Sequence, residues 1–200
     1  MRNISIPAKV YTAVDARIDD FLTNGSCKRL DQPDNWLRQP DDNIYYDTAS
    51  QSSKLAGCSR LVKKLHHLPP ILHCSPWPSY NRGLDRILMP HKQRFSTPEL
   101  YYSTLFHEAV HGTGHSSRLS RPEHLGWKNP DDANYCREEL IAEHGAAYLC
   151  AHSRIEPETF AYSACYIQNY LALLPPDPSA LTAIRTQARE AVTYLLPPPQ

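Results

Sequence analysis

His107 and His111 stand four residues apart with Glu108 directly after the first, in the run Phe106-His107-Glu108-Ala109-Val110-His111. On a helix, positions i and i+4 lie about 40° apart in azimuth. Both imidazoles therefore leave one face and can grip a single ion. Glu108 flanks that pair, placed to take a proton from water at the ion instead of ligating it. An ordinary amphipathic helix can carry the same pattern by chance, with its histidines on the surface or hydrogen-bonded in a core. A third ligand separates the two readings, because a catalytic zinc site keeps three protein ligands and an open position for water.

The run REELIAEHGAAYLCAHS, residues 137–153, offers three carboxylates: Glu138, Glu139 and Glu143. Glu139 and Glu143 share a helical face, so Glu139 can complete the ligand set while Glu143 hydrogen-bonds a ligand histidine from behind. Most helical glutamates belong to a solvated face. Ala142, Gly145, Ala146 and Ala147 argue otherwise, since small side chains let this helix approach another backbone closely. His115, four residues after His111, is open to three readings: third ligand, oxyanion donor, or cap at the helix end where the dipole favours a cation. Capping, or support behind the ligands, is the stronger of these. His144 alone reads as a packing histidine. His144 and Tyr148 join His115 as oxyanion candidates, and the sequence does not choose among them.

These residues must be carried by a few elements. Ser96-Thr97-Pro98-Glu99 predicts a helix start, with Ser96 and Glu99 as a capping box and Pro98 in the first turn. That helix should stop near Gly112–Gly114, where glycines permit a left-handed residue. Further helices are expected over 134–151, over 157–174, and from Asp177-Pro178 to Pro197. Ahead of the histidine helix, residues 71–75 (ILHCS) and 84–89 (beginning LDRIL) read as two strands of a hairpin, joined through a proline-containing turn with Asn81-Arg82-Gly83 before the second. The strand around Leu84–Leu88 is expected at the sheet edge, where an extended peptide could add to it. Residues 10–23 predict a short helix with Val14, Ile18, Phe21 and Leu22 on one side. From Cys27 to Pro70 the pattern is broken and reads as a loop-rich insertion, with one short amphipathic helix at Leu61, Val62, Leu65 and Leu68. The Pro-Pro-Pro-Gln tail reads as frayed.

The 200 residues suit one domain, and Lys plus Arg equals Asp plus Glu at 21 each. No bulk field marks the chain as a binder of nucleic acid or membrane. No stretch approaches the ~18 apolar residues of a membrane span, and the first twenty residues lack a signal-type run, so the expectation is a soluble cytoplasmic protein. For the same reason the six cysteines read as free thiols, with Cys150 and Cys165 as small core residues. No Cys-x-x-Cys pair supports a cysteine zinc cluster.

Taken in order, LDRILMP, YYSTLFHEAVHGTGHSSRL, REELIAEHGAAYLC, YIQNYLALL and AIRTQAREAVTYL resemble the zincin-like metallopeptidase domain of ArdC-type antirestriction proteins and phage polyvalent proteins. The resemblance covers about residues 71–196. It implies an α+β fold in which a small twisted sheet packs on the HExxH helix and a glutamate helix follows. By motif position it implies His107, His111 and Glu139 as Zn2+ ligands and Glu108 as the catalytic glutamate. The single-stranded-DNA-binding domain usual in that family has no visible counterpart, and residues 1–70 are expected to pack as a helix and insertion on the 71–200 core. The expected activity is zinc-dependent peptide-bond hydrolysis, with a protein or peptide substrate that could be one host protein. The rival is an antirestriction or protein- and DNA-binding module with a non-catalytic metal. A weaker nucleic-acid reading rests on Arg60, Lys63, Lys64, His66 and His67.

Overall fold

The structure is a computed structural model that describes residues 5–25, 27, 52–122 and 132–197. Its helices are α1 (Ala8–Asn24), α2 (Ser52–Val62), α3 (Pro98–Thr113), α4 (Ala133–Ser153), α5 (Glu156–Leu173) and α6 (Ala180–Leu195). Three short strands, β1 (Ile71–Leu72), β2 (Ser79–Asn81) and β3 (Arg86–Leu88), lie between α2 and α3. This is the expected α+β arrangement, a small sheet beside the histidine helix with the glutamate helix following.

Helix α4 forms the centre. Leu140 to Cys150 are buried without a break, which is possible because α4 is covered by α3, α5, α6, α1 and α2. The run succeeds through its small residues. A methyl group added at Gly145 would sit 2.7 Å from a Val110 methyl of α3, so the two helices meet at a distance that only glycine allows. Helix α6 is amphipathic and buries Ile184, Ala188, Ala191, Val192 and Leu195 at the expected spacing. Val14 and Ile18 of α1 and Cys58 and Leu61 of α2 belong to the same core as Phe106, Ile141 and Leu149.

The expected hairpin of 71–75 with 84–89 is replaced by a different pairing. β3 is central: β1 runs parallel to it, with Ile71 opposite Ile87, and β2 runs antiparallel, with Tyr80 opposite Ile87. Pro76 and Pro78 explain the change. They break the chain after β1, and Ser79–Asn81 then takes the antiparallel edge of β3 and leaves β1 the other edge. Leu84 lies in the turn and is exposed, while Asn81 Oδ1 accepts the Leu84 N–H at 2.9 Å. The edge strand beside α3 is therefore β2, not the segment around Leu84–Leu88.

Smaller corrections concern ends. The N-cap of α3 is Thr97, whose hydroxyl accepts from Leu100 N, one residue beyond the expected Ser96. Gly114 closes α3 in a right-handed conformation, φ −73°. Gly112 is needed for another reason, because a Cβ there would meet Pro69 at 2.8 Å. Ser52–Val62 is helical within the stretch expected to be loop-rich, and Leu65 and Leu68 pack beyond its end. Residues 28–51 of that stretch and the 198–200 tail lie outside the described residues. Among the described residues no helix is long and apolar enough to cross a membrane.

The expectation of free thiols fails at two cysteines. Cys27 and Cys165 form a disulfide, Cα–Cα 5.6 Å, that ties the end of α1 to α5. Their approach is supported by Gln168, whose Oε1 accepts the Cys27 N–H at 3.3 Å. Cys150 is a buried free thiol as expected, as is Cys58, and Cys74 is exposed.

Candidate metal centre

Helix α3 brings His107 and His111 to the face that meets α4, and α4 brings Glu139 opposite them. The two Nε2 atoms are 2.9 Å apart, and the Glu139 carboxylate lies 3.4 Å from His107 Nε2 and 3.5 Å from His111 Nε2. One donor atom from each of the three side chains falls within 4.8 Å of the others. Among the described residues no other group of histidine, cysteine and carboxylate side chains gathers in this way.

The remaining imidazole nitrogens are also occupied. Glu138 Oε1 lies 3.0 Å from His111 Nδ1. Glu143 Oε1 lies 3.0 Å from His107 Nδ1. A carboxylate can only accept, so each favours the hydrogen on Nδ1 and leaves Nε2 as the nitrogen available to an ion. The two Nε2 atoms, 2.9 Å apart beside the Glu139 carboxylate, are the ones that would turn lone pairs to a cation. The donor set fits a divalent ion of the zinc kind, with two imidazoles and one carboxylate. Burial opposes charge on His111, but Glu139 and Glu138 outweigh it and lift the imidazole to about 9. Glu139 answers in the opposite direction, held well below the usual carboxylate range by the two histidines despite its burial.

Glu108 is buried beside these residues without joining the ligand group. Burial raises its carboxyl above the ordinary value, against the pull of His107 and His111 and a hydrogen bond from the Tyr80 backbone N–H. The β2 edge strand thus reaches the site through its backbone. Strand and helix are clamped together by Arg118, which donates to Gly112 O at 2.6 Å, to Tyr80 Oη at 2.9 Å and to Asp85.

The structure divides the other candidates. Glu143 stands behind His107, where the sequence places it behind one of the two histidines. His115 lies just past α3, where its Nδ1 accepts the Ser117 N–H at 3.2 Å, and it is not part of the ligand group. His144 is fully buried, donates from Nδ1 to Leu140 O at 2.8 Å and is not part of the ligand group. Tyr148 points its hydroxyl at Asp15 of α1, 2.6 Å away, and is committed there. Of the basic cluster, Arg60 and Lys64 line a cleft of about 530 Å³ with Lys54, His152 and Arg154. His66 and His67 turn to α6 instead: His66 N–H donates to Leu195 O at 2.7 Å, and His67 stacks on Tyr194.

Two features escape the sequence reading. Tyr135 donates its hydroxyl to Glu139 and takes a hydrogen bond from Tyr170; burial, then the Glu139 charge, push it above the ordinary tyrosine range. Its spacing of four residues before Glu139 was a usable signal. Arg121 is buried and grips Glu138, Nε to Oε2 at 2.8 Å and Nη2 to Oε1 at 2.5 Å. No local pattern announces a buried arginine.

Residues 70–187 match the model of the zincin-like metallopeptidase family. The DNA primase TraC of Escherichia coli is 30% identical over 118 residues, which span 58% of this chain and 11% of TraC. An uncharacterized protein, y4eC of Sinorhizobium fredii, is 28% identical over 116 residues, 58% of this chain and 37% of that protein. The chain thus corresponds to a minor part of these relatives' length. Among solved structures, the Mn(II)-bound antirestriction protein ArdC from plasmid R388 is 34% identical with a TM-score of 0.53, covering 70% of this chain and 50% of that one. Its bound ion agrees with a divalent-metal site in this fold. With more than half of its length matched and the histidine and glutamate helices in the family's order, the chain belongs to the zincin-like metallopeptidase family.

Proposed function

We propose that this chain is a zinc-dependent hydrolase of peptide bonds, with His107, His111 and Glu139 holding the ion and Glu108 as general base. The observation that carries the reading is the position of Glu108. It is buried at the ligand cluster, outside the ligand set, and oriented by the Tyr80 N–H. A site that only binds metal has no use for such a carboxylate. An ion held there supplies Lewis-acid polarisation of a carbonyl and lowers the pKa of water. Glu108, raised by burial, is the residue that would accept a proton from such a water and return it to the leaving amine. The backbone of β2 offers an edge on which an extended substrate can lie. Tyr135 stands beside Glu139 as a hydroxyl donor.

Glu108→Gln should keep fold and zinc while hydrolysis drops by about a hundredfold to ten-thousandfold. Glu139→Ala should weaken zinc binding more than Glu138→Ala or Glu143→Ala. The decisive comparison is wild type against Glu108→Gln in cells that carry the candidate target, beside metal analysis of both proteins. Equal cellular effects with no cleavage by either would replace the hydrolase with a second reading, an antirestriction or DNA-associated binding module whose metal is not catalytic. That reading draws on the similarity to an antirestriction protein and to a DNA primase, and on the cations of the cleft between α2 and α4.

A further inference from the structure

The two candidate ligand histidines are backed by carboxylates of unequal firmness. Behind His107, Glu143 lies 3.0 Å from Nδ1, and among the described residues no arginine or lysine forms an ion pair with it. Behind His111, Glu138 is gripped by one edge of the Arg121 guanidinium, through Nε and Nη2, and its Oε1 is shared between Arg121 Nη2 at 2.5 Å and His111 Nδ1 at 3.0 Å. Arg121 is itself fixed. Its Nη1 donates to Thr113 Oγ1 at 2.6 Å and its Nη2 to Val110 O at 2.9 Å, the last turn of the helix that carries His111. Arg121, Glu138, Thr113 and His111 are all buried.

We propose that Arg121 is a positioning residue of the metal centre: acting through Glu138, it fixes the hydrogen of His111 on Nδ1 and so presents the Nε2 lone pair to the ion. The chemistry runs one way along the chain of contacts. A guanidinium has donors only, so Glu138 must stay an acceptor; an acceptor facing Nδ1 requires the hydrogen there; Nε2 is then left bare. A tie between α3 and α4 would need the Arg121–Glu138 pair alone. It would not need the carboxylate to reach His111 with the oxygen that Arg121 also holds. The proposal rests on His111 being a ligand and is independent of whether the site hydrolyses anything.

The test uses the full chain and zinc itself, with affinity read by chelator competition. Replacing both charges together, Arg121→Met with Glu138→Leu, avoids stranding one of them in the interior. The ion-free double variant should unfold cooperatively like the wild type yet bind zinc about 10- to 100-fold more weakly. Arg121→Lys, which keeps a donor against Glu138, should recover part of that loss, as a purely steric role would not predict. In zinc-loaded wild type, long-range hydrogen–nitrogen NMR spectra should show His111 Nδ1 protonated and Nε2 coordinated. A folded double variant that binds zinc as tightly as wild type overturns the proposal. So does an unprotonated His111 Nδ1 in the wild type, a result that needs no variant to fold. A wild type that binds zinc but cleaves nothing sinks the hydrolase reading alone, and one that binds no divalent ion sinks both.

Discussion

Gly145→Ala tests the contact on which the metal centre is built. The added methyl would lie 2.7 Å from Val110 Cγ2 and 3.1 Å from Cγ1. Ordinary carbon contacts lie at about 3.5–4.0 Å, so the closer pair overlaps by about 1 Å. Val110 is fully buried in α3, and a β-branched side chain in a helix has essentially one χ1 rotamer, so it cannot swing aside. The helices must separate, and overpacking of this kind costs about 1–3 kcal/mol. Alanine in a helix interior returns about 1 kcal/mol over glycine. The net expectation is a loss of up to about 2 kcal/mol, with weaker divalent-metal binding at the proposed site because Glu139 rides on the displaced helix. Val110→Ala removes the clashing methyls, so Gly145→Ala should turn neutral or stabilising in that background. The assay is urea unfolding of the ion-free single and double variants, with a coupling energy of at least about 1 kcal/mol expected. If Gly145→Ala stabilises equally in both backgrounds, the helices do not meet as described.

The Cys27–Cys165 disulfide spans 138 residues of sequence, and its loss through Cys165→Ser should lower the unfolding free energy by about 2–4 kcal/mol. Identical urea curves with and without reductant would show the two sulfurs unbonded. His144 gives a pH signature. Burial lowers its pKa to about 4, so the folded chain keeps it neutral where the unfolded chain, near the ordinary 6.5, takes up a proton. Its contribution is complete above about pH 6.5 and is lost as pH falls toward 4, on the order of 3 kcal/mol. His144→Leu should remove that part of the acid lability in ion-free protein, and an unchanged pH dependence would refute it.

The helices and the gathering of His107, His111 and Glu139 were legible because both rest on short-range rules. Spacing of four residues puts His107 with His111 and Glu139 with Glu143, and a run of alanine and glycine marks the face that admits a second helix. The sheet was less legible because strands of two or three residues carry almost no periodic signal, and their order depends on where proline breaks the chain. Which carboxylate stands behind which histidine was legible only in part. Glu138 and Glu143 lie on different flanks of α4, and their partners are set by the rotation of α4 against α3. Arg121 and the Asp15–Tyr148 contact were illegible, being pairs of polar residues far apart in sequence that meet only in the folded chain.

Those two illegible contacts answer a question that the apolar packing of α4 leaves open. A helix faced with alanine and glycine packs closely, but apolar attraction is non-directional and does little to fix how far the helix slides or turns. A one-residue slip would rotate Glu139 by about 100° away from the histidines. Buried polar contacts oppose such a slip at both ends of α4. Near its start, Glu138 is locked to Arg121; near its finish, Tyr148 donates to Asp15, which also pairs with Arg185 and Arg189 of α6. A slipped register would break the buried Glu138–Arg121 pair, at about 3–5 kcal/mol, and would also lose the hydrogen bond from Tyr148 to Asp15. The small residues let α4 come close, and the charged ones decide the register in which Glu139 meets His107 and His111.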